Sequence, residues 1–338
     1  MQPEYSFIIP VFNRPEEIRE LLESMRRLIS KVSFEVVIVE DGSSIRADEV
    51  VRNYAEDLNI SYYYKSNSGP GDSRNYGMKK AKADYFLILD SDVILPENYL
   101  KEVHSFLSTN YCDCFGGPDA AHSSFSDVQK AIDYTMTSFY TTGGIRGGDK
   151  AVDEFQPRSF NMGISKKAFI ASKGFGQIHP GEDPDLSLRL KKDGFKICLI
   201  PKAKVYHKRR IDWNKFYLQV KKFGLVRPIL NKWHSGSAKI TYWFPTLFIA
   251  GFVFSVIMTM LGEWFYLVCY LIYFSIIGID AAIKNKSIYI GLLAIRAAFV
   301  QFSGYGYGFL VSTIKTNILN RQPEKEFPQL FFKKNAGA

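Results

Sequence analysis

The sequence predicts an α/β fold: a doubly wound, mostly parallel sheet followed by a C-terminal helical region associated with a membrane. Three observations predict it. Short apolar runs alternate with helical-period stretches from Tyr5 to His207, as βα units do. One run, Tyr85-Phe86-Leu87-Ile88-Leu89, ends in Asp90-Ser91-Asp92, at the strand end where open α/β sheets bind ligands. Beyond Phe244 the chain carries long stretches without charge.

The elements follow in order. Ser6 to Val11 is an apolar strand. Asn13 is an expected N-cap, Pro15 suits a first helical turn, and Ile18, Leu21, Leu22, Met25 and Leu28 recur at helical spacing. Phe34 to Val39 is the second strand and ends in Glu40-Asp41-Gly42-Ser43-Ser44. Ala47 to Leu58 reads as a helix and Ile60 to Tyr64 as the third strand. The loop Asn67 to Ser73 feeds a helix starting near Arg74, and the strand ending at Asp90 comes next. A helix over Pro96 to Leu107, a strand over Cys112 to Gly117 and a helix over Phe125 to Tyr140 are expected. The glycine-rich run Gly143 to Gly148 reads as a flexible loop over a site. Phe160 to Ser165 is a strand. In Gly181-Glu182-Asp183-Pro184, the proline at a first helical position makes Asp183 the expected N-cap. Lys196 to Ile200 and Lys204 to His207 are the last strands.

The charge is concentrated. From Lys208 to Lys239 nine Lys or Arg stand against a single acid, Asp212, so nearly all of the formal +9 lies there. Beside an apolar region this favours anionic lipid headgroups or a lipid-linked phosphate. No nucleic-acid-binding motif accompanies it, so nucleic acid is not an expected partner. Within Asp212 to Trp233, Trp213, Phe216, Tyr217, Val220, Phe223 and Leu225 interleave with Lys215, Lys221 and Lys222. A basic amphipathic helix lying in the headgroup plane is the expectation. Phe244 to Leu261 and Trp264 to Ile279 suit a tight hairpin of spanning helices, each near the roughly 20 residues a bilayer requires. Ser287 to Ile314 is also apolar, and the sequence leaves open whether it spans, re-enters or lies in plane. Aromatics make up 15% of the chain, which fits a membrane interface, while a mean hydropathy of −0.09 requires the apolar material to be concentrated. Four domains are expected: 1–210, a connector over 211–240, membrane helices over 241–315 and a basic tail over 316–338. No signal peptide is expected. The four cysteines show no paired spacing, and reduced thiols facing the cytosol are the expectation.

The ordered motifs resemble the inverting family 2 glycosyltransferases with a GT-A fold, over roughly Tyr5 to His207. Ile8 to Arg14 is similar to that family's opening strand and loop, which implies Pro10 and Asn13 beside a nucleotide sugar. Glu40-Asp41-Gly42-Ser43 resembles its second-strand acidic motif, which implies that Asp41 binds the nucleotide base, with uracil expected. Asn67 to Asn75 resembles the next motif and implies Arg74 near the nucleotide or its diphosphate. Asp90-Ser91-Asp92 matches the D-x-D motif. Asp90 and Ser91 are then expected against the donor, and Asp90, Asp92 and His207 around Mn²⁺ or Mg²⁺, with imidazole favouring Mn²⁺. Glu182-Asp183 resembles the family's acidic dyad, with Asp183 as general base. Phe160-Asn161-Met162-Gly163 resembles the segment lining the acceptor side.

The chain departs from the pattern in three places: Glu40 stands where Asp is more usual, Ser73 stands where Ala is common, and no Q-x-x-R-W follows the dyad. The last implies transfer of one sugar per encounter. The resemblance implies a UDP-sugar donor, and the basic connector beside the apolar helices points to a lipid-linked saccharide or glycolipid acceptor. The apolar helices, the lack of a signal peptide and Lys284 and Lys286 after the hairpin make a cell-membrane location with the catalytic domain on the cytoplasmic face the expectation. Two rivals stay open: a polyprenyl-phosphate glycosyltransferase, which needs no base, and a non-catalytic membrane scaffold that retains a sugar-nucleotide fold.

Overall fold

A computed structural model describes residues 2–120, 125–143, 155–207 and 212–332. The chain forms two compact units, one of residues 1–122, 145–208 and 331–338, the other of 123–144 and 209–330. Segment 123–144 therefore groups with the later helices. The glycine-rich loop lies, from residue 144, outside the described residues.

Secondary structure begins with β1 (Tyr5–Val11), α1 (Pro15–Arg26), β2 (Phe34–Asp41), α2 (Asp48–Arg52), β3 (Ile60–Lys65), α3 (Pro70–Lys80) and β4 (Tyr85–Leu89). It continues through β5 (Val93–Ile94), α4 (Tyr99–Thr109), β6 (Cys114–Gly116) and β7 (Asp119–Ala120), then α5 (Asp127–Thr137) and α6 (Phe139–Thr142). Next come β8 (Asn161–Ser165), α7 (Lys166–Ser172), α8 (Glu182–Lys192), β9 (Ile197–Leu199) and β10 (Val205–His207). The helical unit adds α9 (Trp213–Trp233), α10 (Phe244–Met260), α11 (Phe265–Asn285) and α12 (Ile288–Ser312).

The main sheet has the order β3-β2-β1-β4-β8-β6-β9. Its first four strands are parallel, as the βα alternation predicts. β8 instead runs antiparallel to both β4 and β6, so the sheet is mixed rather than mostly parallel. All five β8 residues are buried, and a strand covered on both faces reads the same in either direction. β1 sends the chain outward to β2 on one side while β4 joins it on the other, so a topological switch point lies between β1 and β4. Pairing of β1 with β4 stops at Ile8, two residues before Pro10, which has no N–H to donate. The crevice at the strand ends opens there. The core is dry: Phe7, Ile9, Ile38, Leu87 and Leu89 on one face, and Ile8, Val37, Phe86, Ile88 and Leu186 on the other, are fully covered.

A three-stranded sheet, β5-β10-β7, stands apart from the first. Its register sets His207 opposite Val93, and Val205 opposite Asp119. Cys112 and Cys198 are joined as a disulfide across 86 residues, which corrects the expectation of four reduced thiols. The parallel pairing of β6 with β9 brings the two together, and spacing along the chain carries no trace of it. Cys114 and Cys269 are free.

In the helical unit, α9 presents its apolar side to α12. Phe216, Val220, Leu225 and Ile229 are buried. The two backbones nearly touch: a Cβ added to Gly224 would lie 2.2 Å from the Tyr305 carbonyl oxygen, and one on Gly308 would lie 2.3 Å from that of Lys221. Small residues spaced in this way let helices pack closely inside a bilayer. α10 and α11 form the expected hairpin, latched where the Tyr270 hydroxyl donates to the Phe248 carbonyl at 2.8 Å. α12 is one unbroken helix of 25 residues that passes into a π-helical turn at Thr313–Ile318. Three helical segments, Ile240–Met260, Phe265–Asn285 and Ile288–Ile318, are long and apolar enough to cross a membrane.

Candidate active site

β4 delivers Asp90-Ser91-Asp92 to the switch point. Beneath them, α3 begins at Pro70, earlier than the sequence predicts, so Arg74 sits in its second turn instead of at its start. The Arg74 side chain is 3% exposed, and its guanidinium forks: Nη2 donates to Asp90 Oδ1 at 2.7 Å and Nη1 to Glu182 Oε1 at 3.0 Å. One buried cation therefore ties the D-x-D segment to the dyad, 92 positions further along. Two charge-assisted bonds from a planar fork fix both distance and direction.

Asp92 is held from two sides. Arg14, in the loop after β1, donates to Oδ2, and His207 Nε2 lies 3.2 Å from Oδ1. The β5–β10 register explains His207, because its partner Val93 follows Asp92 directly. The imidazole stacks on Phe160, ring centres 4.8 Å apart, and its Nδ1 lies 4.0 Å from Asp119 Oδ2. Burial alone would raise the Asp92 carboxyl, but His207 and Arg14 outweigh it and hold the group well below the usual carboxylate range. Asp90, Asp92 and His207 each offer a ligand atom, all within 4.8 Å of one another. Among the described residues, His207 Nδ1 has no hydrogen-bond partner, and Asp92 Oδ1 has none beyond the 3.2 Å approach of His207 Nε2. Two carboxylates and an imidazole, with donor atoms left over, fit a divalent cation.

The dyad starts α8, but Gly181, not Asp183, is the N-cap, at φ +120°, with Glu182 the first helical residue. Asp183 is thus corrected from a cap to a side chain in the first turn. Its Oδ2 lies 3.4 Å from the Ser159 N–H and 3.9 Å from Arg158 Nη1. Burial, with Glu182 beside it, raises its pKa against the pull of Arg158 and Arg74. Glu182 is covered, yet His179 and Arg74 draw its pKa down to about 2. His179 Nδ1 lies 2.9 Å from Glu182 Oε1, and that carboxylate raises the imidazole against its burial.

The remaining expected residues are placed less simply. Asn13 is not an N-cap, since Arg14 holds that position. At φ +53° its side-chain oxygen accepts from the N–H groups of Ser44 and Ile45, bracing the loop after β2. Both Asp41 oxygens are engaged: Oδ1 accepts from Lys65 Nζ at 2.6 Å and the Ser68 N–H at 3.0 Å, and Oδ2 from the Gly69 N–H at 2.9 Å. Pro10 is covered within β1, and Ser91 is buried between the two aspartates.

The residues expected on the acceptor side lie in β8. Asn161 is fully buried, accepting from the Tyr99 hydroxyl at 2.7 Å and donating to the Ala203 carbonyl at 2.7 Å. Met162 belongs to the core, and a Cβ on Gly163 would lie 2.0 Å from the Phe115 ring. β8 is internal to the sheet, between β4 and β6.

Sequence reasoning gave no role to Arg14, Lys65, Arg158 or His179. Two of them had a signal. Lys65 ends β3 at the position paired with Asp41 at the end of β2, and His179 stands one helical turn before Glu182.

A mixed α/β sheet that opens at β1 and β4, with paired carboxylates at its mouth, is the arrangement to set beside known folds. Residues 6–165 match the family model "Glycosyl transferase family 2". The mannosyltransferase PcManGT of Pyrobaculum calidifontis, solved with GDP-Man and Mn²⁺, superposes with a TM-score of 0.54 over 95% of this chain and 89% of that one, at 14% identity. It shows that the fold is of the GT-A kind. The poly(ribitol-phosphate) β-N-acetylglucosaminyltransferase TarS of Staphylococcus aureus is 33% identical over 186 residues, 49% of this chain and 32% of TarS. TarP of the same species, which bears the same activity name, is 27% identical over 130 residues, 38% of this chain and 40% of TarP. The chain therefore spans well under half the length of these curated relatives.

Proposed function

We propose that this chain is a membrane-attached inverting glycosyltransferase. It moves one sugar from a UDP-sugar to a hydroxyl of a lipid-linked saccharide or glycolipid. The observation that carries this reading is the Arg74 fork, which sets the segment for the donor diphosphate against the carboxylate pair for the acceptor. Asp90, Asp92 and His207 would hold Mn²⁺ or Mg²⁺, and a cation bound there supplies Lewis-acid neutralisation of the diphosphate. Asp183 accepts the proton of the acceptor hydroxyl. As the oxygen forms its bond to the anomeric carbon, the bond from that carbon to the diphosphate breaks on the opposite face. The electron pair leaves with the nucleoside diphosphate, and the configuration inverts. Glu182, already bound by Arg74 and His179, holds the loop rather than the proton. Arg74, on this reading, organises the carboxylates around the diphosphate instead of spending its fork on it.

Three apolar helices and the basic stretch 208–239 support an acceptor presented at a membrane, with the catalytic unit on the cytoplasmic face. The names of TarS and TarP add a polyol-phosphate chain as a second anionic acceptor class. The test is a donor screen read by released nucleoside diphosphate, with lipid-linked saccharides, glycolipids and soluble polyol phosphate as separate acceptors. Transfer to a lipid acceptor in the presence of Mn²⁺ supports the reading. Equal transfer to a soluble acceptor without lipid would remove the membrane from it.

A further inference from the structure

The last described residues do not end in the helical unit. Phe331 and Phe332 belong to the catalytic unit, where Phe331 forms an antiparallel bridge with Ile178. The Phe332 N–H donates to the Gln177 carbonyl at 3.1 Å. The ring that follows fills the space above Gly69: a Cβ there would lie 2.3 Å from it, and Gly69 sits at φ +94°. The same ring packs beside His179, ring centres 5.9 Å apart.

Each neighbour has a task. Gly69 donates its N–H to Asp41 Oδ2 and starts α3, which carries Arg74. His179 holds Glu182 Oε1. One aromatic side chain from the far end of the sequence thus spans the two loops that place Asp41 and the dyad. Loops are the parts of a fold most free to rearrange, and a ring wedged between two of them removes that freedom.

We propose that Phe332 is a positioning residue of the donor site, holding the Gly69 loop and the His179 loop in the arrangement that accepts the nucleotide. This rests on the reading of the site given above. Its effect passes through the loops and not through the chemistry, so it acts on donor binding and leaves the transfer step alone. If loss of the ring leaves the competent arrangement populated about one tenth of the time, apparent donor affinity falls about tenfold.

The test uses the full chain in detergent, with UDP and Mn²⁺ as the probe in calorimetry and donor KM and kcat measured alongside. Phe332→Ala is expected to raise the UDP Kd and the donor KM about tenfold with kcat retained, and Phe332→Tyr to restore both. Phe332→Leu keeps an apolar side chain without the ring and gives the same rise should the alanine variant fold poorly. If wild type binds UDP and the alanine and leucine variants bind it equally well, the inference is overturned while the donor reading stands. If wild type itself binds no UDP, the donor reading falls and the inference falls with it.

Discussion

Replacing Arg74 with lysine tests the centre of the site most directly. The guanidinium makes two charge-assisted bonds, 2.7 Å to Asp90 and 3.0 Å to Glu182, from a side chain 3% exposed. Lysine keeps the charge but has one nitrogen on a flexible stem, and it cannot reach both carboxylates along the fork's two directions. One bond is lost, and a hydrogen bond to a charged group contributes about 1.5–3 kcal/mol. Removing the cation altogether leaves the buried Glu182 carboxylate without its guanidinium, beside a part-exposed Asp90, and costs up to about 3–5 kcal/mol. For a domain of this size 1 kcal/mol moves the melting temperature by about 2–4 °C, so Arg74→Lys should melt about 3–12 °C lower. Thermal unfolding of purified protein measures this directly. Because Arg74 here meets carboxylates on both sides, UDP affinity should fall far less than kcat. A variant that melted with wild type would show that the fork is not made. A large loss of UDP affinity with kcat intact would return Arg74 to the diphosphate, where the family resemblance had put it.

The remaining predictions address the other groups. Asp183→Asn should lower kcat by at least about a hundredfold with UDP affinity unchanged, in steady-state assays beside calorimetry. A phosphate nucleophile would survive the same change. The pH profile follows from the shift: Asp183 must be ionised to accept a proton, and its pKa is raised. The acid limb of kcat should therefore lie higher than an ordinary aspartate would put it, because burial outweighs the pull of Arg158 and Arg74, and it should vanish in the asparagine variant. His207→Ala should weaken Mn²⁺-supported UDP binding by about tenfold or more, read by Mn²⁺ titration, since one of the three ligand side chains is lost. Gly163→Ala drives a methyl to 2.0 Å from the fully covered Phe115 ring and should lower stability by about 1–3 kcal/mol, seen as a shift in urea midpoint.

Much of this was legible in the sequence because the period of apolar residues is a local property. β1 to β4, the D-x-D segment at a strand end and the hairpin α10–α11 all follow from patterns a dozen residues long. What the sequence could not show is direction and pairing. β8 is buried along its whole length, so its antiparallel course left no alternation to read, and neither did the pairing of Asn161, Met162 and Gly163 with β4. Arg14 and His207 beside Asp92, and Arg74 beside Glu182, come from segments far apart along the chain, joined by the ladder register and the packing of α3. Asn13 and Asp183 were misassigned for one reason. Short polar residues suit caps and loops alike, and which one they make depends on a neighbour's φ.

Glu182 and Asp183 show how the fold divides two residues that the sequence makes equivalent. Successive positions on a helix point about 100° apart, so the first turn of α8 sends the two carboxylates into different surroundings. Glu182 meets Arg74 and His179, and these overcome its burial. With its pKa brought down to about 2 from an ordinary value of about 4.3, it contributes stability that is fully present above that ordinary value. That contribution is lost as pH falls through about 2. Among the described residues Asp183 has the more distant Arg158 Nη1 at 3.9 Å and the Ser159 N–H at 3.4 Å, which do not offset its burial, so its proton affinity rises. Neighbouring carboxylates pushed in opposite directions separate structural anion from base. The same cations that make Glu182 a fixed anion make it a poor base, since a group held ionised down to about pH 2 has little pull on an alcohol proton. That leaves Asp183 as the member of the pair whose surroundings favour taking one.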